Sequence, residues 1–317
     1  MTSNTKNLSS KRIVFFGTPE FAVPFLSTLI KERFTVAAVV TQPDKKMGRK
    51  QKMISSPVKE TALKNNIPVL EPKSLKKNTK FSQKLNEFKP DIVVVVAYGK
   101  IIPANILSVP TYGFINIHPS LLPKYRGPSP IQWALQNGDK KTGITIMQLD
   151  SGMDTGAILF QKKLIISTND NAKTLHDKIA KEGSKLLVNK LPDILNQNVR
   201  PKKQNDSLAT YSKLINRADG VIDFSKSATH IENQGRAFYP WPGLYTFLGK
   251  KRIKITLPKG YSSKKYAHSQ GTFFITNSGE CAILCSTGYI VPKALQIEGK
   301  RELSNNEFVL GYKSLLS

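Results

Sequence analysis

The first third of the chain alternates short apolar runs with stretches whose apolar residues recur at helical spacing. "KRIVFFG" at 11–17 reads as a buried strand, "FTVAAVVTQ" at 34–42 as a second, "IPVLEP" at 67–72 as a short third and "DIVVVVAYG" at 91–99 as a fourth. "SPVKETALKNN" and "FSQKLNEF" between them carry helical periodicity. The valine run is β-branched and almost uninterrupted, the pattern of a parallel strand covered on both faces. After Gly17, Thr18 suits an N-cap and Pro19 the first helical position. This alternation predicts a doubly wound, mostly parallel Rossmann-like α/β sheet.

Further along, "TGITIMQL" predicts a strand, residues 156–166 a further pair, and 172–195 a long helix that closes the first domain. Residues 197–209, "QNVRPKKQNDSLA", are polar and without period, and read as a linker. From Ile253 onward "RIKITL", "GTFFIT", "CAILCST" and "YIVPKALQI" are short strands broken by Gly, Pro and Ser. Such a series predicts a small β-barrel, OB-like in type. The expected organisation is a catalytic domain over 1–196, the linker 197–209 and a C-terminal β-barrel domain over 210–317. The 317 residues suffice for two cores.

Charge changes the picture. Lys and Arg number 48 against 22 Asp and Glu, a formal net charge of +26. The excess is spread along the chain and is not a tail, as expected of a protein that lays a face along a polyanion. The stretch "PDKKMGRKQK" at 43–52 holds five basic residues and one acidic, with Gly48 in the middle. It reads as a flexible basic loop able to follow a phosphate backbone, although a solvated charge run has the same composition. Cys281 and Cys285 lack a second pair to complete a zinc site and read as buried small apolar residues, so neither metal nor disulfide is expected. No run approaches the length of a membrane span and "MTSNTKNLSSKR" has no apolar core, so a cytoplasmic protein is expected.

The candidate chemistry lies in "FINIHPSLLPKYRGPSP" at 114–130. Asn116 and His118 are two residues apart on a strand and project from one face, where the strand runs out at Pro119. In open α/β sheets ligands bind outside the carboxyl ends of strands. Asp154, in "LDSGMDTGAI" between Gly152 and Gly156, could orient the imidazole and raise its basicity, and Asp150 competes for that role. "GTPEF" lacks the further glycines of a dinucleotide fingerprint, and no Walker motif is present.

"NIHPSLLPKYRG" followed by "GITIMQLDSGMDTG", with the aspartate 36 positions after the histidine, resembles the signature of the folate-dependent formyltransferase family. "FFGTPEFAVPFL", "TQPDKKMGRKQKMISSPVK", "AYGKIIP", "ATYSKLINRADGVIDF" and "RAFYPWPG" narrow the resemblance to members acting on initiator methionyl-tRNA, over almost all residues after about 11. The resemblance implies 10-formyltetrahydrofolate as formyl donor, the amine of initiator methionyl-tRNA as acceptor, and Asn116, His118 and Asp154 as the catalytic triad. It implies that folate lies against Tyr98, Gly99 and Ile101, against Ser120, Leu121, Leu122 and Pro123, and near Gly152 and Met153. It further implies that Lys45, Lys46, Arg49, Lys50 and Lys52 meet tRNA, with Arg49 the key arginine, and that the chain acts as a monomer. His118 is expected as general base and Asn116 as donor to the oxyanion. A formyltransferase acting on an amino-sugar nucleotide, a non-catalytic RNA-binding protein and a hydrolase releasing formate stay open as alternatives.

Overall fold

The computed structural model describes residues 10–47, 51–249, 251–262 and 269–316. The chain groups into two compact units, one of residues 1–127, 142–164 and 176–211, the other of 128–141, 165–175 and 212–317. Neither is continuous in sequence, so contacts divide the chain differently from a single cut at 197–209.

In the first unit the strands are β1 (Arg12–Gly17), β2 (Thr35–Val40), β3 (Lys45–Met47), β4 (Lys52–Ile54), β5 (Val69–Leu70), β6 (Ile92–Val96), β7 (Phe114–His118), β8 (Lys141–Gln148) and β9 (Ile158–Ile165). Seven of these form one sheet in the order β5-β2-β1-β6-β7-β8-β9, and β3 and β4 pair by themselves. The pairs β2–β5, β1–β2, β1–β6 and β6–β7 are parallel, whereas β7–β8 is antiparallel. The order reverses between β1 and β6, which places a switch point at the carboxyl ends of these strands.

Helices α1 (Val23–Lys31), α2 (Pro57–Lys64), α3 (Thr79–Glu87) and α4 (Ala104–Leu107) follow β1, β4, β5 and β6. The α2 start is written in the sequence: Ser56 accepts from the Lys59 N–H and Pro57 occupies the first turn. Thr18, in contrast, caps nothing. Pro19 precedes a 3₁₀ turn over Glu20–Ala22, and the Thr18 hydroxyl instead donates to the Tyr98 carbonyl at 3.3 Å. All of Ile92 to Val96 is buried, as the valine run predicts. One face of the sheet packs Val14, Phe16, Val93 and Val95 with Phe81 and Leu85 of α3 and Ile106 of α4.

Helix α5 (Pro130–Gln136) belongs to the second unit, and α6 (Ala172–Leu195) spans the predicted residues, Pro192 included. The second unit adds α7 (Ala228–Ala237), β10 (Leu244–Leu248), β11 (Lys251–Thr256), β12 (Lys259–Tyr261), β13 (Phe273–Ile275), β14 (Cys281–Leu284), β15 (Tyr289–Val291), β16 (Ala294–Ile297), β17 (Leu303–Ser304) and α8 (Asn305–Tyr312). Among the described residues these strands form two antiparallel four-stranded sheets, β10-β11-β16-β17 and β12-β15-β14-β13. "YIVPKALQI" holds two strands, because Pro292 has no N–H to continue a ladder.

Candidate active site

The site grows from the carboxyl end of β7. Asn116 and His118 pair with Met147 and Thr145 of β8, which sets their common face. His118 is 4% exposed, and its Nε2 lies 2.9 Å from the Tyr125 carbonyl oxygen. A carbonyl only accepts, so Nε2 carries the proton and Nδ1 is the ring nitrogen with a lone pair in the neutral form. Nδ1 faces Asp154 Oδ2 at 3.6 Å, too long for a hydrogen bond but close enough for an ion pair once the ring is protonated. The tautomer is therefore held by Tyr125 and not by the aspartate, whose carboxylate lies on the side of the ring that carries the lone pair. Asn116 is half-buried and its amide makes no hydrogen bond among the described residues, which leaves a donor beside the imidazole.

Asp154 and Asp150 have separate tasks. Asp150 Oδ1 accepts from the Gly152 N–H at 3.0 Å and the Thr155 hydroxyl at 2.7 Å, closing the turn upon itself. Asp154 has φ 56°, a conformation a non-glycine residue rarely holds, and its Oδ2 accepts from the Gly127 N–H at 2.8 Å. The flanking Gly156 serves the fold, since a Cβ there would come within 1.8 Å of the Gln148 carbonyl oxygen.

The loop 120–123 is pinned from below. Ser120 is fully buried; its carbonyl accepts from the Thr145 hydroxyl at 2.7 Å, and its own hydroxyl donates to the Lys124 carbonyl at 2.6 Å. The Leu122 N–H donates to Thr145 Oγ1 at 3.2 Å, while Gln161 Nε2 donates to the Leu122 carbonyl and to Thr145 Oγ1, both at 2.9 Å. Leu122 is 3% exposed, Leu121 packs over Gly143, and Pro123 is half-buried. These side chains hold the loop, so its main chain is what a ligand could reach. Tyr98 behaves likewise. Its ring stands edge-on to Phe16 at 5.1 Å, and its buried hydroxyl has no hydrogen-bond partner among the described residues and is pushed up to about 12 by burial. Its carbonyl accepts from Gln42 Nε2 at 2.8 Å as well as from the Thr18 hydroxyl. Gly99 is exposed with φ 79°, and Gly152 is exposed. Ile101 is 86% and Met153 56% exposed, so each of these loops presents an apolar side chain to solvent.

The basic stretch is a hairpin at its root rather than a loop. Lys45 and Lys46 of β3 pair with Ile54 and Met53 of β4, and Met47 with Lys52. Lys45, Lys46 and Lys52 are exposed; Arg49 and Lys50 lie outside the described residues. Asp44 and Glu71 both meet Lys59, at 2.9 and 2.8 Å. The Lys59 hydrogen bond holds the Asp44 carboxyl below its ordinary range, and Glu71 first, then Asp44, raises the Lys59 ammonium.

Residues 197–209, read as a linker, supply what sequence reasoning missed. Gln204 is 5% exposed and donates to the Asp154 and Gly156 carbonyls, both at 2.8 Å. Its Oε1 accepts from Arg126 Nε and Nη2, at 3.0 and 2.9 Å. A glutamine and an arginine in polar, aperiodic stretches carry no signal for such burial. Among the described residues no cluster of His, Cys, Asp and Glu could hold a metal, and no helix is long and apolar enough to cross a membrane.

Residues 11–191 match the formyl transferase family and 214–313 the formyl transferase C-terminal domain. The methionyl-tRNA formyltransferase of Caldanaerobacter subterraneus is 44% identical over 95% of this chain and 97% of its own length. That of Caldicellulosiruptor saccharolyticus is 45% identical over the same shares. Among solved structures, the N-formyltransferase from Helicobacter canadensis, in complex with folinic acid and dTDP-3-aminofucose, superposes with a TM-score of 0.66 at 24% identity, covering 89% of this chain and 98% of its own. WlaRD, a sugar 3N-formyl transferase solved with dTDP and 5-N-formyl-THF, gives 0.65 at 24% identity over 92% and 99%. These two share the fold. With family models over both parts and relatives above 40% identity along its length, this chain belongs to the formyl transferase family, in the branch of the methionyl-tRNA formyltransferases.

Proposed function

We propose that the chain moves the formyl group of 10-formyltetrahydrofolate to the α-amine of methionine on initiator tRNA, in the cytoplasm and as a monomer. The observation that carries this reading is the imidazole of His118 between the Tyr125 carbonyl and the Asp154 carboxylate, with the free Asn116 amide on the same strand face.

The acceptor amine must be neutral to attack, and α-amines titrate near about 7.7 to 8, so a histidine is a well-matched base. Asn116 donates to the oxygen of the formyl carbon as charge develops there. His118 Nδ1 takes the proton that the amine loses, and the imidazolium then lies between two oxygen acceptors. As the bond between the formyl carbon and N10 breaks, His118 returns that proton to N10. Main-chain groups of Gly99, Gly152 and residues 120–123, with the side chains of Ile101 and Met153, would seat the folate. Lys45, Lys46 and Lys52, with Arg49 and Lys50, would follow the tRNA backbone. In the second unit Tyr245 and Phe247 of β10 pair with Lys254 and Arg252 of β11, and Arg252 lies 4.6 Å over the Tyr245 ring. With Trp241 55% exposed, this aromatic and basic surface would extend the tRNA contact.

The test is formyl transfer from 10-formyltetrahydrofolate to charged initiator methionyl-tRNA, run beside charged elongator methionyl-tRNA and an amino-sugar nucleotide. Selective formylation of the initiator is expected. Transfer only to the sugar, or release of formate with no acceptor, would replace the reading.

A further inference from the structure

We propose that Gln204, with its amide oriented by Arg126, is a positioning residue for Asp154. The inference rests on the catalytic role assigned to Asp154 above. Three observations carry it. Asp154 holds φ 56°, so the direction of its carboxylate depends on a left-handed backbone conformation that few non-glycine residues hold. Gln204 Nε2 is the side-chain donor on the carbonyls of both Asp154 and Gly156, which clasps the loop on either side of Thr155. The amide cannot turn over, because Arg126, 2% exposed, places two N–H groups on Oε1. A buried guanidinium needs acceptors; besides Gln204, Arg126 meets Asp206 at 2.7 Å, a carboxylate that is itself 75% exposed, and Tyr211.

The same segment steadies the other side of the imidazole. Thr210 Oγ1 accepts from the Tyr125 N–H at 2.9 Å and the Thr210 carbonyl from the Arg126 N–H at 2.8 Å, while the Tyr125 carbonyl receives His118 Nε2. Residues 204–210 thus support both oxygen acceptors of His118 with no hydrogen bond to the ring among the described residues. Their effect on the reaction passes through Asp154 and Tyr125.

Gln204→Glu separates the two faces of the amide. It keeps an oxygen for Arg126, so the buried charge stays paired, and it sets a second oxygen, which cannot donate, against the Asp154 and Gly156 carbonyls. Gln204→Met removes both faces and serves as the unfolding control. Turnover with folate and initiator methionyl-tRNA is measured for Gln204→Glu, Asp154→Asn and the double variant, together with Tm. The expected result for Gln204→Glu is a kcat lower by about 10- to 100-fold, a KM for folate within about 3-fold, and a Tm closer to the parent than that of Gln204→Met. In the Asp154→Asn background the same change is expected to cost less than about 2-fold, because the group it positions is already gone. A purely structural role would lower both backgrounds by one factor, and that result overturns the proposal. An unchanged kcat for Gln204→Glu beside a defective Asp154→Asn overturns it alone. Full turnover by Asp154→Asn removes the catalytic assignment and the positioning role with it.

Discussion

His118 meets a different oxygen at each ring nitrogen, and this separates the tasks of its neighbours. With Nε2 committed to Tyr125, the proton can arrive only at Nδ1, next to Asp154. His118→Asn is expected to lower kcat by about 10²- to 10⁴-fold, the usual worth of a positioned base. Asn116→Ala should cost about 10²- to 10³-fold in kcat, the loss of one oxyanion donor, with the folate KM nearly unchanged. Single-turnover rates at saturating substrates check both; a rise in folate KM with kcat intact would make Asn116 a binding residue instead. Gly156→Ala tests the loop from its steric side. A Cβ there would lie 1.8 Å from the Gln148 carbonyl oxygen, so Tm should fall, by roughly 1 to 3 kcal/mol of stability, and activity with it. At this scale Asn116 and His118 were legible from their spacing on a strand, and Asp154 from its glycine-flanked turn. Choosing Asp154 over Asp150 was not, because the distinction lies in which hydrogen bonds each carboxylate already makes.

The basic hairpin shows what an element adds to its residues. Two paired strands of three residues are marginal in isolation, so this ribbon depends on its root and on a partner. Lys45 Nζ donates to Gln42 Oε1 at 2.9 Å, and Gln42 in turn donates to the Tyr98 carbonyl, which ties the ribbon to the strand end beside the site. Lys45→Ala, Lys46→Ala and Lys52→Ala should each raise the KM for tRNA, leave the KM for folate unchanged and flatten the salt dependence of kcat/KM by about one counterion. An equal rise in both KM values would show a misfolded domain. The Asp44 tie adds a pH dependence of definite sign. A depressed carboxyl value contributes stability present above the ordinary carboxylate range and lost as pH falls through the lowered value; a raised lysine contributes below its ordinary range. Asp44→Asn should therefore weaken tRNA binding at neutral pH, and the difference from the parent should persist through the ordinary carboxylate range and close only as pH falls through the lowered Asp44 value. Titrating tRNA binding by both proteins decides this, and a difference that persists in acid would assign Asp44 another role. The ribbon was not legible, since three-residue strands with charged side chains carry no apolar alternation.

At the scale of the whole molecule the alternation of apolar runs and helical spacing was enough for a mostly parallel α/β sheet, because buried strands must be apolar on both faces, but not for its strand order. The grouping of segments by contact was not legible either. Residues 128–141 and 165–175 group with the C-terminal residues, and Gln204 is buried with the first unit, because long-range contacts and not local composition decide which core a segment joins. Thiol chemistry can test whether the two units also unfold apart. Cys281 and Cys285 are 0% and 4% exposed in the second unit, and burial pushes both thiols up to about 12, so neither forms thiolate at pH 8 while folded. Labelling by a thiol reagent therefore reports opening of the second unit, whereas activity reports the first. In the seat proposed for it on the first unit, a folate ligand would stabilise that unit by mass action. If the units open independently, saturating folate should raise the midpoint of heat inactivation and leave the labelling rate unchanged. Equal protection of both signals would mean that the two cores open as one cooperative body, and the discontinuous grouping of the chain would then be the physical reason.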